Sequence, residues 1–589
     1  MNGNNGRFKT LGLIFLIVAV TVVGRIVYIQ FSPQAETLRE KGESFIGFVQ
    51  DLQPVRGEIY DRWGNLLAGN TTVYEIGVEL QHVRNPETIA LALSVHTGAD
   101  FGQVYEIASQ EASAEAVYAV LQDYVSPEDI QRLEEFAQQI EDGLVATPGK
   151  GKDARPPSLA GLIWTPHLAR TYPEGDLGSN ILGFVSREGK GYFGVEAKYN
   201  DLLSGSTRQV YIANNPYEVQ SLPAPPAGAS LILTIDREIQ DSVEEILDKA
   251  LTETGSDSGT IIVAQPETGE ILAMASTPRM DLNEFWEYGS VYPGSTPFNR
   301  AVSQAYEPGS VFKVLTMSAA IDSGAVKPNT SFLDTGVFQI GGIYIQNWNL
   351  GAWGPQDMTG CMRHSLNVCL AWVASEMGAK TFYEYLQRFG IGHLSGVDIA
   401  NENPGRLKQP GDQDWYEADL GTNSFGQGVS TTPLQMIAAA SALANDGQMV
   451  TPHIVRSVID NGHQYEVTPQ MAGRPISQKT ARMMTEMLSV SLEEESSAAL
   501  VPGYRVAGKT GTAEIPSPAG YTSGETNASF VGWGPVDDPK FIVYVWLEKP
   551  STSPWGSVVA APVFSEVVQR LVVLMDLPPD EVRTALSSN

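Results

Sequence analysis

Cysteine is nearly absent: 589 residues hold two, Cys361 and Cys369. If both lie on one helix, a rise of ~1.5 Å per residue sets them about 12 Å apart, beyond disulfide reach. No zinc-ligand partner stands at useful spacing, so the pattern predicts two small buried thiols. Histidine is scarce too, with seven, and none lies in the Ser310 or Lys509 motifs described below. That argues against a histidine triad. His364 adjoins Ser365, but neighbours on a helix face different ways, which makes it a structural or surface residue. Basic residues are outnumbered 38 to 68, for a formal charge of −30. Without a Lys/Arg cluster there is no nucleic-acid groove. Long apolar runs are missing except at the N-terminus. There Arg7 and Lys9 precede an uncharged stretch from Thr10 to Gly24, then Arg25, then Ile26 to Phe31. This reaches the ~20 residues of a membrane-spanning helix, and no small-x-small cleavage site is evident. The reading is an uncleaved anchor in residues 1–35 with a cytoplasmic N-terminus. Arg25 would snorkel to the interface. No later run reads as apolar enough to cross again.

What is present is an ordinary globular composition, 42% apolar, long enough for two or three domains. RGEIYDRWGNLLA (Arg56–Ala68) reads as short strands about a turn at Trp63-Gly64-Asn65. Residues 86–142 read as helices, with apolar positions recurring at three and four. SLPAPPAGA (Ser221–Ala229) is a linker signal, placing one domain at 36–225 and another at 226–589. SLILTIDREIQ then passes from strand to helix near Thr234 and Asp236. GTIIVAQPETGEILAMAS (Gly259–Ser276) reads as a hairpin, and ASFVGWGPV and KFIVYVWLEK as late strands. A hairpin early, strands late and helices between predict one α+β domain whose sheet joins both ends of the segment.

Three short stretches carry chemistry. In YEPGSVFKVLTMSAAIDSG (Tyr306–Gly324), Pro308-Gly309 breaks the chain before Ser310, and a largely buried helix follows. Ser310 and Lys313 are one turn apart on the same face. Burial disfavours the lysine's ammonium form, and a neutral amine can take the proton of a serine nucleophile. A capping serine with a snorkelling lysine fits the same residues. In CMRHSLNVCLAWVA (Cys361–Ala374), Ser365 could relay a proton and Asn367 hold an amide, or both could simply cap a helix. In VAGKTGTAEIP (Val506–Pro516), Lys509, Thr510, Gly511 and Thr512 fall on a strand. Glycine there allows close backbone approach by a ligand, and the ammonium suits a substrate carboxylate. The alternative is an edge-strand turn.

Ser-x-x-Lys, Ser-x-Asn and Lys-Thr-Gly in this order resemble the penicillin-binding proteins, specifically the monofunctional class B transpeptidases. The middle motif reads Ser-Leu-Asn where Ser-Asp-Asn is the common form. RGEIYDRWGNLLA and GYFGVEAKYNDLLSG (Gly191–Gly205) resemble segments of that family's N-terminal pedestal, a mixed dimerisation-type domain. LILTIDREIQ and FGQGVSTTPLQMIAAASALANDG (Phe425–Gly447) resemble stretches of its transpeptidase domain. The resemblance implies an antiparallel sheet flanked by helices, with Ser310 the acylated nucleophile and Lys313 its base. Ser365 would pass a proton to the leaving D-Ala, and Asn367 would hold the donor amide. Lys509, Thr510 and Thr512 would bind the substrate carboxylate, and the N–H groups of Ser310 and Thr512 would form the oxyanion hole. It implies stem peptides and β-lactams as ligands, no metal or cofactor, and a membrane glycosyltransferase of the SEDS type as partner. The YEPGS and FGQGVSTTP wording leans toward a division role. A D,D-carboxypeptidase, a β-lactamase-like hydrolase and a non-catalytic scaffold are the alternatives.

Overall fold

The apolar stretch beyond Arg7 folds as one helix, Asn4–Phe31, with no acidic residue in its first turn. Phe8–Phe31 has a mean hydropathy of 2.4 and no buried face, as a lipid-facing helix requires. The computed structural model describes residues 4–32, 35, 47–52, 54–113, 116–147, 155–213, 225–495, 497–516, 520–521 and 524–587. The first part of the linker, Ser221–Ala224, therefore lies outside the described residues. Residues 1–55 with 205–228 make one compact unit, and 56–204 with 229–589 a second. In the first unit, strand Gly47–Leu52 pairs antiparallel with Arg208–Ala213.

The second unit holds two large sheets. One begins with Ile59–Tyr60 and Leu66–Glu79, the two runs expected around the Trp63-Gly64-Asn65 turn. Ile59–Tyr60 also pairs, in parallel, with Ser230–Leu233. The strand of LILTIDREIQ thus joins the N-terminal strands and continues to Val455–Asp460. Arg56 of RGEIY and Arg170 grip the buried Glu196 of GVEAKY, at 2.6 and 2.7 Å. A buried charge needs such partners, so this triad locks two distant segments together. Within 86–142, helices Pro86–Thr97, Phe101–Ala108 and Pro127–Glu141 form, but Tyr118–Val125 is a strand on Leu66–Glu79. Its Tyr118, Val120, Tyr124 and Val125 are strand formers, and sheet pairing wins over the helical pattern around them.

The second sheet joins the early hairpin to the late strands, as expected, and has five strands. Strands β1 (Ser258–Ala264), β2 (Ile271–Ser276), β3 (Ala507–Glu514), β4 (Thr526–Gly534) and β5 (Phe541–Glu548) run antiparallel in the order β2-β1-β5-β4-β3. Along β5, Val543, Val545 and Leu547 face one core, and Ile542, Tyr544 and Trp546 the other. Five helices matter below: α1 (Lys313–Asp322), α2 (Met358–Arg363), α3 (Asn367–Met377), α4 (Gln478–Glu495) and α5 (Gly556–Leu574). The helix Arg237–Thr254, whose N-cap Asp236 accepts from the N–H groups of Glu238 and Ile239, packs with α5 on the first face. Helix α1 belongs to the core on the other face. At 19 residues and a mean hydropathy of 1.6, α5 is long and apolar enough to cross a membrane, contrary to the expectation of no later run. One side of it is instead buried against the sheet, with Phe564 packed on Phe530.

Candidate active site

The site forms where the start of α1 meets the edge strand β3. Gly309 has φ +60, and a Cβ there would stand 2.8 Å from the Thr512 carbonyl oxygen. Only glycine permits that conformation at that approach. A side chain at Gly511 would meet the Ser529 hydroxyl and come within 2.9 Å of Val311 Cγ1. These two glycines bring Ser310 onto the Lys509-Thr510-Gly511-Thr512 run. Gly309–Phe312 is a 3-10 turn rather than the first turn of an α-helix, and α1 begins at Lys313. In a 3-10 turn side chains three apart eclipse, so Ser310 and Lys313 stack more directly than on an α-helix.

Helix α1 is buried all round, and Lys313 with it. Its Nζ donates to the Ser365 carbonyl at 2.7 Å, to Asn367 Oδ1 at 2.7 Å and to Ser365 Oγ at 3.1 Å. Burial first, and then the nearby Lys509 ammonium, hold its pKa well below the usual lysine value. A neutral amine can donate to the two carbonyl oxygens and keep its lone pair for a hydroxyl proton. Ser365 and Asn367 are therefore not simple caps. The N-cap of α3 is Leu366, which has no side chain able to cap, and the Val368 N–H at that end donates to Asn347 Oδ1 at 3.2 Å, so neither Ser365 nor Asn367 is the cap. Ser365 adopts φ +52, an uncommon conformation for a side-chain-bearing residue, and this turns both side chains toward Lys313. Asn367 Nδ2 donates to the Gln346 carbonyl at 3.2 Å.

On the other wall, Lys509 is buried and donates to the Thr510 carbonyl at 3.1 Å. Burial pushes its pKa down to about 8, against the opposing pull of Glu495. Thr512 Oγ1 accepts from the Gly556 N–H at 3.0 Å, which ties β3 to the start of α5. As an edge strand β3 leaves backbone groups unpaired toward the cleft, where an extended peptide can add. All the sequence-predicted residues converge here: a hydroxyl, a buried amine behind it, a serine–asparagine turn on that amine, and an open strand with its own lysine.

The family model "Penicillin binding protein transpeptidase domain" matches residues 259–569, and "Penicillin-binding Protein dimerisation domain" matches 51–221. Stage V sporulation protein D of Bacillus subtilis is 30% identical over 94% of this chain and 83% of its own. Peptidoglycan D,D-transpeptidase FtsI of Escherichia coli is 26% identical over 98% and 93%. The apo crystal structure of penicillin-binding protein 3 from Mycobacterium tuberculosis superposes with TM-score 0.66 at 25% identity, covering 90% of this chain and 98% of that one. The chain is a class B penicillin-binding protein, a serine transpeptidase.

In this penicillin-binding protein the two cysteines are not free. Cys361 and Cys369 form a disulfide, with Cα atoms 6.0 Å apart. The expectation of separated thiols assumed one helix through both. The chain instead leaves α2 at Arg363, turns at Ser365 and enters α3 at Asn367, so the eight residues fold back. The signal lay in the sequence: a helix starting near Ser365 cannot also contain Cys361. The bond spans Ser365 and Asn367 and fastens that turn from beneath. Replacing both cysteines by serine is expected to cost about 2–3 kcal/mol, the loop-closure value for so short a loop. Urea titration with and without dithiothreitol checks this. A midpoint that neither the substitutions nor the reductant moves would show that the bond does not form.

Proposed function

We propose that this protein is a peptidoglycan D,D-transpeptidase that acylates Ser310. The observation that carries the reading is Lys313 Nζ, buried behind the nucleophile turn and bonded to both Ser365 and Asn367. Ser310 Oγ attacks the penultimate D-Ala carbonyl while Lys313 takes its proton. Negative charge on the carbonyl oxygen is held by the N–H groups of Ser310 and Thr512. The C–N bond breaks, Ser365 relays the proton to the leaving D-Ala amine, and a Ser310 ester remains. The amine of a second stem peptide then attacks that ester, forms the cross-link and frees the hydroxyl. Asn367 holds the donor backbone. Lys509, Thr510 and Thr512 hold the terminal carboxylate, and Gly511 lets the peptide lie close. A β-lactam enters as an analogue of D-Ala-D-Ala and stays on Ser310.

The N-terminal helix, with Arg7 and Lys9 before it, supports a single-pass protein of the cytoplasmic membrane with its N-terminus inside and the catalytic unit outside. A disulfide at the site suits that oxidising side. A division role, a domain boundary near 225 and a SEDS-type glycosyltransferase partner complete the reading.

Full-length protein in detergent, given a fluorescent penicillin, is expected to take one label per chain and keep it for hours. With a stem pentapeptide and an amine acceptor it should release D-Ala and form the acceptor adduct. D-Ala release without adduct would make it a carboxypeptidase, rapid loss of label a β-lactamase-like hydrolase. A folded protein that never labels would be a scaffold.

A further inference from the structure

Helix α4 ends in three consecutive carboxylates, Glu493, Glu494 and Glu495. Carboxylates at a helix C-terminus oppose its dipole, so this end is unfavourable unless each finds a partner. Glu493 pairs with Arg505 at 2.9 Å, Glu494 with Arg363 at 2.7 Å, and Glu495 with His364. Arg363 and His364 are the two residues directly before Ser365. His364 is held at three points. Its ring stacks on Trp353 with centroids 4.0 Å apart, its Nδ1 lies against the Glu495 carboxylate, and its carbonyl accepts from Trp348 Nε1 at 3.2 Å. The turn to φ +52 follows at once, so the anchoring of His364 sets where Ser365 begins. Glu495 also acts across the cleft wall on Lys509, where its charge opposes the effect of burial.

We infer that Glu495 is a positioning residue for the transpeptidase reaction: through His364 it fixes the Ser365–Asn367 turn on Lys313, and its charge backs the Lys509 ammonium that receives the substrate carboxylate. This rests on the transpeptidase reading above. The titratable and charged groups around the carboxylate are His364 and Arg363 at the end of α2, Lys509 on β3, and Glu493 and Glu494 on its own helix. Lys313 on α1 is near enough to Lys509 for the two charges to oppose one another. One carboxylate thus serves both lysine-bearing walls. Removing it leaves Lys509 with burial alone, so the ammonium is lost at lower pH.

The test is the second-order rate constant for acylation of full-length protein by a fluorescent penicillin, followed across pH. Glu495→Gln is expected to move the alkaline fall of the profile to lower pH and to slow acylation at pH 8 by about fivefold or more. Glu494→Gln, which loses only the Arg363 pair, should leave the alkaline fall in place. Glu495→Asp should restore it, and a melting curve for each variant reports folding. A uniform loss for Glu495→Gln with the alkaline fall in place overturns the action on Lys509 and leaves the anchoring of His364; a profile coinciding with wild type overturns both. Failure of wild type itself to label sinks the transpeptidase reading instead, and this inference with it.

Discussion

Full-length protein carrying Ser310→Ala is expected to take no covalent penicillin at any pH, while melting where wild type melts. The first half follows from chemistry. Oxyanion donors, carboxylate cradle and base all remain, but no oxygen is left to form the ester, so the loss is complete rather than graded. The second half follows from the environment of the side chain. Ser310 is half-buried, and among the described residues its hydroxyl makes no hydrogen bond. Removing it orphans no partner, and such changes stay within about 0.5 kcal/mol. The experiment also decides between two hydroxyls. Ser365 Oγ is the one bonded to Lys313 at 3.1 Å. If Ser310→Ala still labels, Ser365 is the nucleophile and the roles given to the two serines must be exchanged.

The strands β1, β2, β4 and β5 of the catalytic sheet were legible because each is a short apolar run bounded by turn residues, and both faces are covered. The three motifs were legible because burial of Lys313 and the breaks at Gly309 and Gly511 follow from local sequence. What escaped needed distant partners. Tyr118–Val125 has strand-forming residues inside a helical pattern, and only its pairing with Leu66–Glu79 decides the matter. Ser230–Leu233 reads as the first strand of the catalytic domain, yet Ile59–Tyr60 and Val455–Asp460 claim it for the other sheet. The disulfide was hidden by one assumption about a helix. Glu495 gave no signal at all: its meaning depends on His364 and Lys509, far apart in sequence and both brought to α4 by the fold.

Lys313→Ala is expected to slow acylation by about 10²–10⁴-fold, the usual worth of a positioned base. That loss alone does not separate a base from a tether, because Lys313 also holds Ser365 and Asn367 together. Alanine would strand two acceptors and could let the turn drift. Lys313→Arg separates the roles. A guanidinium donates to both oxygens but stays charged at any accessible pH, so it keeps the tether and abolishes the base. Equal loss in both variants, with the arginine protein melting near wild type, assigns proton abstraction to Lys313. Substantial recovery in Lys313→Arg makes it a tether, and the base must then be sought elsewhere. The pH profile gives a second, independent reading. The depressed Lys313 pKa means the amine is freed well below the ordinary lysine range, so wild-type acylation rises through that pH. Lys509 loses its proton at about 8, so the rate falls above that value as the carboxylate loses its partner. Residual acylation by Lys313→Ala should keep the alkaline fall and lose the acidic rise, because only the first lysine has been removed. A profile with both limbs intact would assign the acidic limb to another group and withdraw the neutral-amine mechanism.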